Sequence, residues 1–100
     1  MKQKHLSQAA NESASLLYEA IASLQTLEEA KAFFEDLCTP TELQAMMDRW
    51  WVVKFLRQGK PYREIYDLTG VSLTTISRVA RTLELGQGAY RVIAERLEKI

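Results

Sequence analysis

The chain has 100 residues, of which 47% are hydrophobic, and this length and composition predict a small globular domain and exclude a disordered chain. Equal numbers of basic and acidic residues, 13 of each, give a formal net charge of +0, which excludes a uniformly basic or acidic protein. The lone Cys38 excludes an intrachain disulfide, and no apolar run approaches the roughly 20 residues of a membrane span, so we expect one cytoplasmic domain over residues 1–100 with no membrane contact.

The predicted elements are six helices and no strands, so the predicted fold class is all-α. The first helix is expected from about Ser7 to Leu24, with residues 1–6 frayed before it. Its apolar residues recur at spacings of four and three, which form the narrow seam that helices use against one another. The seam consists of Ala10, Ala14, Leu17, Ile21 and Leu24.

Capping signals mark the starts of the second and third helices. The second helix is predicted over Thr26–Leu37, because its first residue, a threonine, forms a capping box with Glu29. Thr39 is expected to cap the third helix, with Pro40 at the first helical position and Glu42 closing a second box. The start of the third helix is therefore the most sharply defined boundary in the chain.

The third helix is predicted to reach Gln58 and to end at Gly59. Apolar residues occupy much of its circumference: Leu43, Met46, Met47, Trp50, Trp51, Val52, Val53, Phe55 and Leu56. A surface helix of a small monomer has one apolar stripe, so a helix of this kind must be covered on most sides. A chain of 100 residues has little material for that cover. We therefore expect a homodimer, with the central core helix of a monomer as the alternative.

A helix–turn–helix is predicted in residues 62–83. Ile65 and Leu68 give its short first helix an apolar side. Such units usually carry a small residue where their two helices cross, whereas Ile65 and Tyr66 occupy that region here. The sequence therefore predicts either a wider crossing or a Tyr66 side chain that points outward.

The turn and second helix of this unit carry strong local signals. Gly70 supplies the positive φ of a sharp turn, Val71 is expected to point into the core, and Ser72 is a suitable N-cap. A buried stripe on the second helix is formed by Ile76, Val79 and Leu83. Short or basic side chains on the opposite side suit base edges and phosphates, namely Leu73, Thr74, Ser77, Arg78 and Arg81. A plain helical hairpin is the alternative.

A sixth helix is expected from Gln87 or Ala89 to Ile100. Gly86 and Gly88 mark the break before it. Its apolar stripe consists of Tyr90, Ile93, Ala94 and Leu97.

The charges are unevenly divided along the chain. Residues 1–50 carry a net charge of −4 and residues 51–100 a net charge of +4. A surface that binds DNA needs local positive potential rather than a basic whole. The positive half contains the predicted helix–turn–helix, which favours nucleic-acid binding over charges scattered by chance.

The order of these motifs resembles that of the Trp-repressor superfamily from about Leu37 to Leu83. The resemblance rests on the segment LCTPTELQAMMDRWWVVKFLRQGKPYREIYDLTGVSLTTISR. Its most specific pieces are Thr39-Pro40 with Glu42, Arg49, Gln58-Gly59, Arg63-Glu64 and Thr75-Ile76-Ser77-Arg78. Within the superfamily, the chain is most similar to the Trp-repressor-related proteins of the YerC/YecD type.

The resemblance implies a six-helix, intertwined homodimer that regulates transcription by binding an inverted-repeat operator in double-stranded DNA. Its two helix–turn–helix units would lie one DNA turn apart, at ~34–36 Å. By the resemblance, Arg63 would contact a base, Arg78 and Arg81 would contact phosphates, and lysines would add backbone contacts. The complete set of expected DNA-binding residues is Arg63, Ser72, Leu73, Thr74, Ser77, Arg78, Arg81, Lys60 and Lys54.

The resemblance also implies an effector pocket at Arg49, Arg78 and Val79. In the founding family, tryptophan lies between two arginines, one from each chain, that match Arg49 and Arg78, and a glycine that matches Val79 leaves room for it. A valine there is expected to overfill the space, at a cost of ~1–3 kcal/mol. We therefore do not expect free tryptophan to be an effector. The arginines would instead contact phosphate or pair with acids such as Asp48, and another small-molecule effector stays open.

Other functional classes have less support in the sequence. One histidine, no glycine-rich phosphate loop and no metal-ligand spacing argue against an enzyme, a cofactor or a metal site. A protein–protein docking module built on a helix–turn–helix is the main alternative, because Leu73 and Tyr66 would give the recognition side an apolar character.

Overall fold

A computed structural model describes the backbone of residues 2–98 and the side chains of residues 7–98. Within that range it contains six helices and no strand, which confirms the predicted all-α class. The helices are α1 (Lys2–Ala22), α2 (Leu27–Leu37), α3 (Pro40–Arg57), α4 (Tyr62–Thr69), α5 (Leu73–Leu85) and α6 (Ala89–Glu98). Helices α1 and α2 belong to one compact unit, and α3 to α6 form a second.

Helix α1 begins earlier than its apolar seam predicted, at Lys2 instead of Ser7. Fraying was predicted for residues 1–6, but the backbone of residues 2–6 is helical, and residue 1 lies outside the described residues. The helix ends two residues before the predicted Leu24, where the Ser23 hydroxyl donates a hydrogen bond to the carbonyl oxygen of Ala20 at 2.7 Å. Local side-chain competition of this kind ends a helix ahead of its apolar pattern.

Helix α2 begins at the predicted cap. Thr26 Oγ1 accepts a hydrogen bond from the backbone N–H of Glu29 at 3.0 Å. The Glu29 carboxylate reaches back one residue further than a capping box requires, because it accepts from the N–H of Gln25 at 3.0 Å. Two N–H groups at the helix start are thus satisfied by side chains.

The core of the second unit lies where α3, α4 and α5 meet. Its buried residues are Val52, Val53, Ile65, Val71, Ile76 and Val79. Phe55, Leu56, Leu83 and Tyr90 are half-buried around this core. Helix α3 contacts α4, α5 and α6, and α4 contacts α5, so α3 is the scaffold on which the helix–turn–helix rests.

The end of α3 is fixed by a glycine in the left-handed conformation. Gly59 has φ +78°, and its N–H donates to the carbonyl of Leu56 at 3.0 Å. The N–H of Lys60 donates to the carbonyl of Phe55 at 3.2 Å. These two bonds are the Schellman motif, which satisfies carbonyls that the helix end would otherwise leave unpaired.

The apolar residues of α3, α4 and α6 are only partly buried in the single chain. Helix α3 buries Val52 and Val53, but Met46, Met47, Trp50 and Trp51 remain exposed. Leu68 is also exposed, which corrects the prediction that it helps Ile65 to form the inner side of α4. On α6, Ile93 and Leu97 are exposed, whereas Tyr90 and Ala94 are half-buried. No helix in residues 2–98 combines the length and apolar character needed to cross a bilayer.

Candidate nucleic-acid interface

The turn between α4 and α5 is held by one glycine and one threonine. Gly70 has φ +74°, and its N–H donates to the carbonyl of Tyr66 at 2.8 Å. The Thr69 hydroxyl donates to the carbonyl of Ile65 at 2.7 Å and accepts from the N–H of Val71 at 3.1 Å. The predicted turn residues are therefore confirmed, and Thr69 is an additional tether that the sequence interpretation missed.

The start of α5 is fixed by its N-cap. Ser72 Oγ accepts from the N–H of Thr75 at 3.1 Å and lies 3.0 Å from Thr75 Oγ1, to which it donates. Because its hydroxyl is engaged within the protein, Ser72 has less capacity to contact DNA than its place among the expected DNA-binding residues implied. Its main role in the structure is to orient the first turn of α5.

As predicted, one side of α5 is buried and the opposite side is exposed to solvent. Ile76 and Val79 are buried against Ile65 and the valines of α3, which fixes the helix to its scaffold. The opposite side is exposed and comprises Leu73, Thr74, Ser77, Arg78 and Arg81. Tyr66 on α4 is 43% exposed, so its side chain points outward, as one of the two sequence alternatives predicted.

The first turns of α4 and α5 enclose a shallow cleft of about 580 Å³, which we call the α4–α5 cleft. Its lining residues are Tyr62, Arg63, Leu73, Thr74 and Ser77. The structure thus brings together four of the expected DNA-binding residues and adds Tyr62, which the sequence interpretation missed. The sequence feature that could have indicated Tyr62 is its position beside Arg63 in the first turn of α4. The cleft combines the guanidinium of Arg63 with apolar and hydroxyl groups.

The other expected DNA-binding residues lie outside this cleft. Lys60 forms an ion pair with Glu64 across one helical turn, with Nζ–Oε1 at 3.5 Å. The Lys54 ammonium lies 5.1 Å from the centre of the Phe55 ring and lines a groove between α3 and α6. Arg81 is exposed on α5, further along the helix from the cleft. Of these three basic residues, Arg81 alone lies on α5.

Whereas the expected effector pocket takes one arginine from each chain of a dimer, Arg49 and Arg78 of the same chain line one cavity of about 240 Å³. Its lining comprises Ala45, Asp48, Arg49, Thr75 and Arg78, and we call it the arginine cavity. The Arg49 Nε donates to the carbonyl of Ala45 at 3.2 Å, and Asp48 accepts a hydrogen bond from Gln44 at 2.8 Å.

Val79 is placed differently from the expectation. It does not line the arginine cavity, and its side chain is 1% exposed within the core. Consecutive residues of an α-helix point about 100° apart, so Arg78 and Val79 face different surroundings. Within the single chain the valine packs in the core and does not enter the cavity, so the expected overfilling is not seen there.

A third concave surface lies between α3 and α6 and has a volume of about 370 Å³. We call it the α3–α6 groove, and its apolar lining includes Met47, Trp50, Trp51, Ala94 and Leu97. An ion pair between Arg57 and Glu98 lies at its edge. The groove shares no residue with the α4–α5 cleft.

These features define an all-α helix–turn–helix protein with an exposed recognition side. The chain belongs to the Trp repressor family, because residues 12–98 match the family model described as Trp repressor protein. This match confirms the resemblance predicted from the sequence.

Two kinds of relative support the same branch of the family. The chain is 43% identical over 83 residues to the uncharacterized protein YerC of Bacillus subtilis (strain 168), covering 83% of this chain and 80% of YerC. A crystal structure of a TrpR like protein from Eubacterium eligens ATCC 27750 superposes with a TM-score of 0.83 at 42% identity, covering 87% of this chain and 90% of that one. A structure from Staphylococcus aureus gives the same TM-score of 0.83 at 40% identity, covering 87% of each chain.

Proposed function

We propose that this protein is a sequence-specific DNA-binding transcription regulator, acting as a repressor, that reads an inverted-repeat operator as a homodimer in the cytoplasm. The α4–α5 cleft is the observation that carries the proposal. It gathers Arg63, Leu73, Thr74 and Ser77 at the first turns of two helices joined by a glycine turn. Recognition helices contact base edges with residues near their N-termini.

The side chains of the cleft suit the chemistry of the major groove. Arg63 presents a planar fork of donors that fits the N7 and O6 acceptors of guanine. Thr74 and Ser77 are exposed hydroxyl residues that can donate to or accept from base edges or phosphates. Arg78 and Arg81 are exposed beside them on α5 and supply positive charge for the DNA backbone.

Homodimerisation is proposed from the apolar surface that the second unit leaves uncovered. Trp50 and Trp51 on α3 and Leu97 on α6 are exposed in the single chain and line the α3–α6 groove. Contiguous apolar surface of this kind marks an interaction site. A second copy of the chain would cover it and would set the two recognition helices at ~34–36 Å, which is one turn of DNA.

We also propose that the regulator does not respond to tryptophan. The support is the valine at position 79, where the tryptophan-binding members of the family have a glycine that leaves room for the ring, although Arg49 and Arg78 are both present. Regulation by a different small molecule is the second candidate. It is favoured by the arginine cavity itself, where two guanidinium groups, Asp48 and Thr75 surround about 240 Å³.

The proposal is tested by selecting tight-binding duplexes from a random pool with the purified full-length chain. We expect an inverted repeat to be enriched, with binding that weakens steeply as salt rises because counterions are released. The Arg63→Ala variant should weaken binding by ~1–3 kcal/mol and relax the preference at one base pair per half-site.

Arg96→Ala is the matched control, because Arg96 is an exposed arginine on α6, outside the helix–turn–helix. It should leave affinity and base preference unchanged. Failure to enrich any sequence, together with binding that ignores salt, would contradict DNA recognition. That result would favour the alternative, in which the helix–turn–helix with its exposed Leu73 and Tyr66 docks to another protein.

A further inference from the structure

The α4–α5 cleft contains two large side chains whose apolar surface is partly accessible to solvent. Tyr62 is 44% exposed and Leu73 is 42% exposed. Single exposed apolar residues are ordinary on protein surfaces. These two, however, line the same cleft as Arg63, so the cleft joins an apolar surface to a charged donor fork.

Duplex DNA presents one distinctive apolar group in its major groove, which is the C5-methyl group of thymine. Guanine presents the two acceptors that an arginine fork matches. We propose that Leu73, flanked by the Tyr62 ring, recognises the C5-methyl of a thymine close to the guanine that Arg63 contacts. This inference rests on the proposed DNA-binding function and specifies part of the half-site that it reads.

The position of Leu73 supports this assignment. Leu73 is the first residue of α5, directly after the N-cap, and the two hydrogen bonds between Ser72 and Thr75 fix the backbone on either side of it. A side chain at this end of a recognition helix meets base edges when the helix enters the groove. The other two α5 residues in the cleft, Thr74 and Ser77, are polar, so Leu73 is the principal apolar contact that α5 offers there.

Dimerisation through the α3–α6 groove would not cover this apolar surface. The groove is lined by residues of α3 and α6, whereas the cleft is lined by residues of α4 and α5. A dimer that buries Trp50, Trp51 and Leu97 therefore does so through residues other than Leu73 and Tyr62.

The first test changes only the DNA. In the operator obtained by selection, each thymine of the half-site is replaced in turn by deoxyuridine, which lacks the C5-methyl group. At one thymine position we expect affinity to fall about four-fold per half-site, which corresponds to burial of one methyl group, and about 15-fold when both half-sites are changed. The reciprocal test places cytosine at that position, where 5-methylcytosine should bind about four-fold more tightly than cytosine.

The second test changes the protein. Leu73→Ala should bind the thymine and uracil operators with equal affinity. Tyr62→Ala should reduce the ratio of the affinity for the thymine operator to that for the uracil operator. Tyr62→Phe should preserve this ratio, because the ring supplies the contact. Tyr66→Ala is the matched control, since Tyr66 is an equally exposed tyrosine of α4 that does not line the cleft. It should retain the wild-type ratio.

The outcomes separate this inference from the function on which it rests. If uracil binds within two-fold of thymine at every position, or if the selected half-site contains no thymine, Leu73 does not read a methyl group. Loss of base preference in Arg63→Ala would still uphold DNA recognition in that case. If no duplex is selected at all, the proposed function and the inference fail together.

Discussion

Ser72 and Thr75 are joined by two hydrogen bonds, one from the Thr75 N–H to Ser72 Oγ at 3.1 Å and one from the Ser72 hydroxyl to Thr75 Oγ1 at 3.0 Å. The pair closes the first turn of α5, immediately beside the residues that line the α4–α5 cleft. The same cap therefore fixes the start of the helix and the position of the α5 residues that line the cleft.

Ser72→Ala removes this cap and leaves the N–H of Thr75 without its side-chain acceptor. We expect the free energy of unfolding to fall by ~1 kcal/mol, as is typical of lost N-caps. Ser72→Asp should stay close to the wild type, because a carboxylate accepts the same hydrogen bond. Urea denaturation of the three proteins measures both effects. Equal stability of the alanine variant and the wild type would contradict a structural role for the cap.

Gly70 adopts φ +74°, and nothing lies within 4 Å of the position that a Cβ would take. A substitution there is therefore penalised by backbone conformation alone, without a steric clash. Gly70→Ala should lower the free energy of unfolding by ~1–2 kcal/mol, and Gly70→Asn by less, because asparagine tolerates the left-handed region.

Gly86 provides a contrast in the same denaturation assay. Its φ of −83° is ordinary, but a Cβ would lie 2.5 Å from the backbone oxygen of Thr82. Asparagine should therefore be no better than alanine at Gly86, in contrast to Gly70. If asparagine rescued both positions alike, the distinction between conformational strain and steric clash would be wrong.

The local parts of this fold are predictable from the sequence because they depend on neighbouring residues. Thr26, Gly70 and Ser72 form the caps and turn that their residue types favour, since each acts on a backbone group within four positions. The core contribution of Ile76 and Val79 was predictable for a similar reason, because helical periodicity fixes which residues share a side.

The remaining features depend on how the helices pack, which periodicity does not specify. Tyr62 joins the cleft only because the starts of α4 and α5 meet. Leu68 has the spacing of an inner residue but is exposed, because the core is completed by α3 and α5 on the other side of Ile65. Trp50 and Trp51 stay 38% and 45% exposed in the single chain, and the apolar pattern of α3 alone does not separate them from the buried Val52 and Val53.

The proposed dimer interface can be tested by placing a charge in the α3–α6 groove. Leu97 is 54% exposed in the single chain and lines this groove, so Leu97→Glu should weaken or abolish the dimer in sedimentation analysis. Moving a carboxylate from water into an apolar interface is unfavourable. Leu73→Glu is the matched control, because it places the same charge in the α4–α5 cleft instead.

The two leucine variants are expected to fail in different ways. Leu73→Glu should sediment as a dimer but lose DNA binding. Leu97→Glu should sediment as a monomer, or as a dimer that dissociates at a higher protein concentration than the wild type does. A stable dimer of Leu97→Glu would show that the groove is not the interface.

Val79 bears on two measurable properties, the stability of the core and the binding of tryptophan. Because its side chain is 1% exposed, Val79→Ala should lower the free energy of unfolding by about 2–3 kcal/mol through lost burial and the resulting cavity. Titration of the wild type with tryptophan in a calorimeter should give no saturable heat at micromolar concentrations. A clear micromolar binding curve would mean that the arginine cavity accepts an indole in spite of this valine.

The positions of the basic residues predict how the affinity for DNA depends on salt concentration. Arg81 is exposed on the recognition helix, whereas Lys54 lies over the Phe55 ring at the α3–α6 groove. Each phosphate contact contributes about 0.9 to the slope of log K against log salt concentration, so Arg81→Ala should reduce the magnitude of the slope by about 1.8 in a dimer. Lys54→Ala removes the same charge and should leave the slope unchanged, provided that sedimentation still shows a dimer. If Lys54→Ala reduced the slope as much as Arg81→Ala, the DNA backbone would have to pass over the end of α3, and the orientation that places the α4–α5 cleft at the base edges would be wrong.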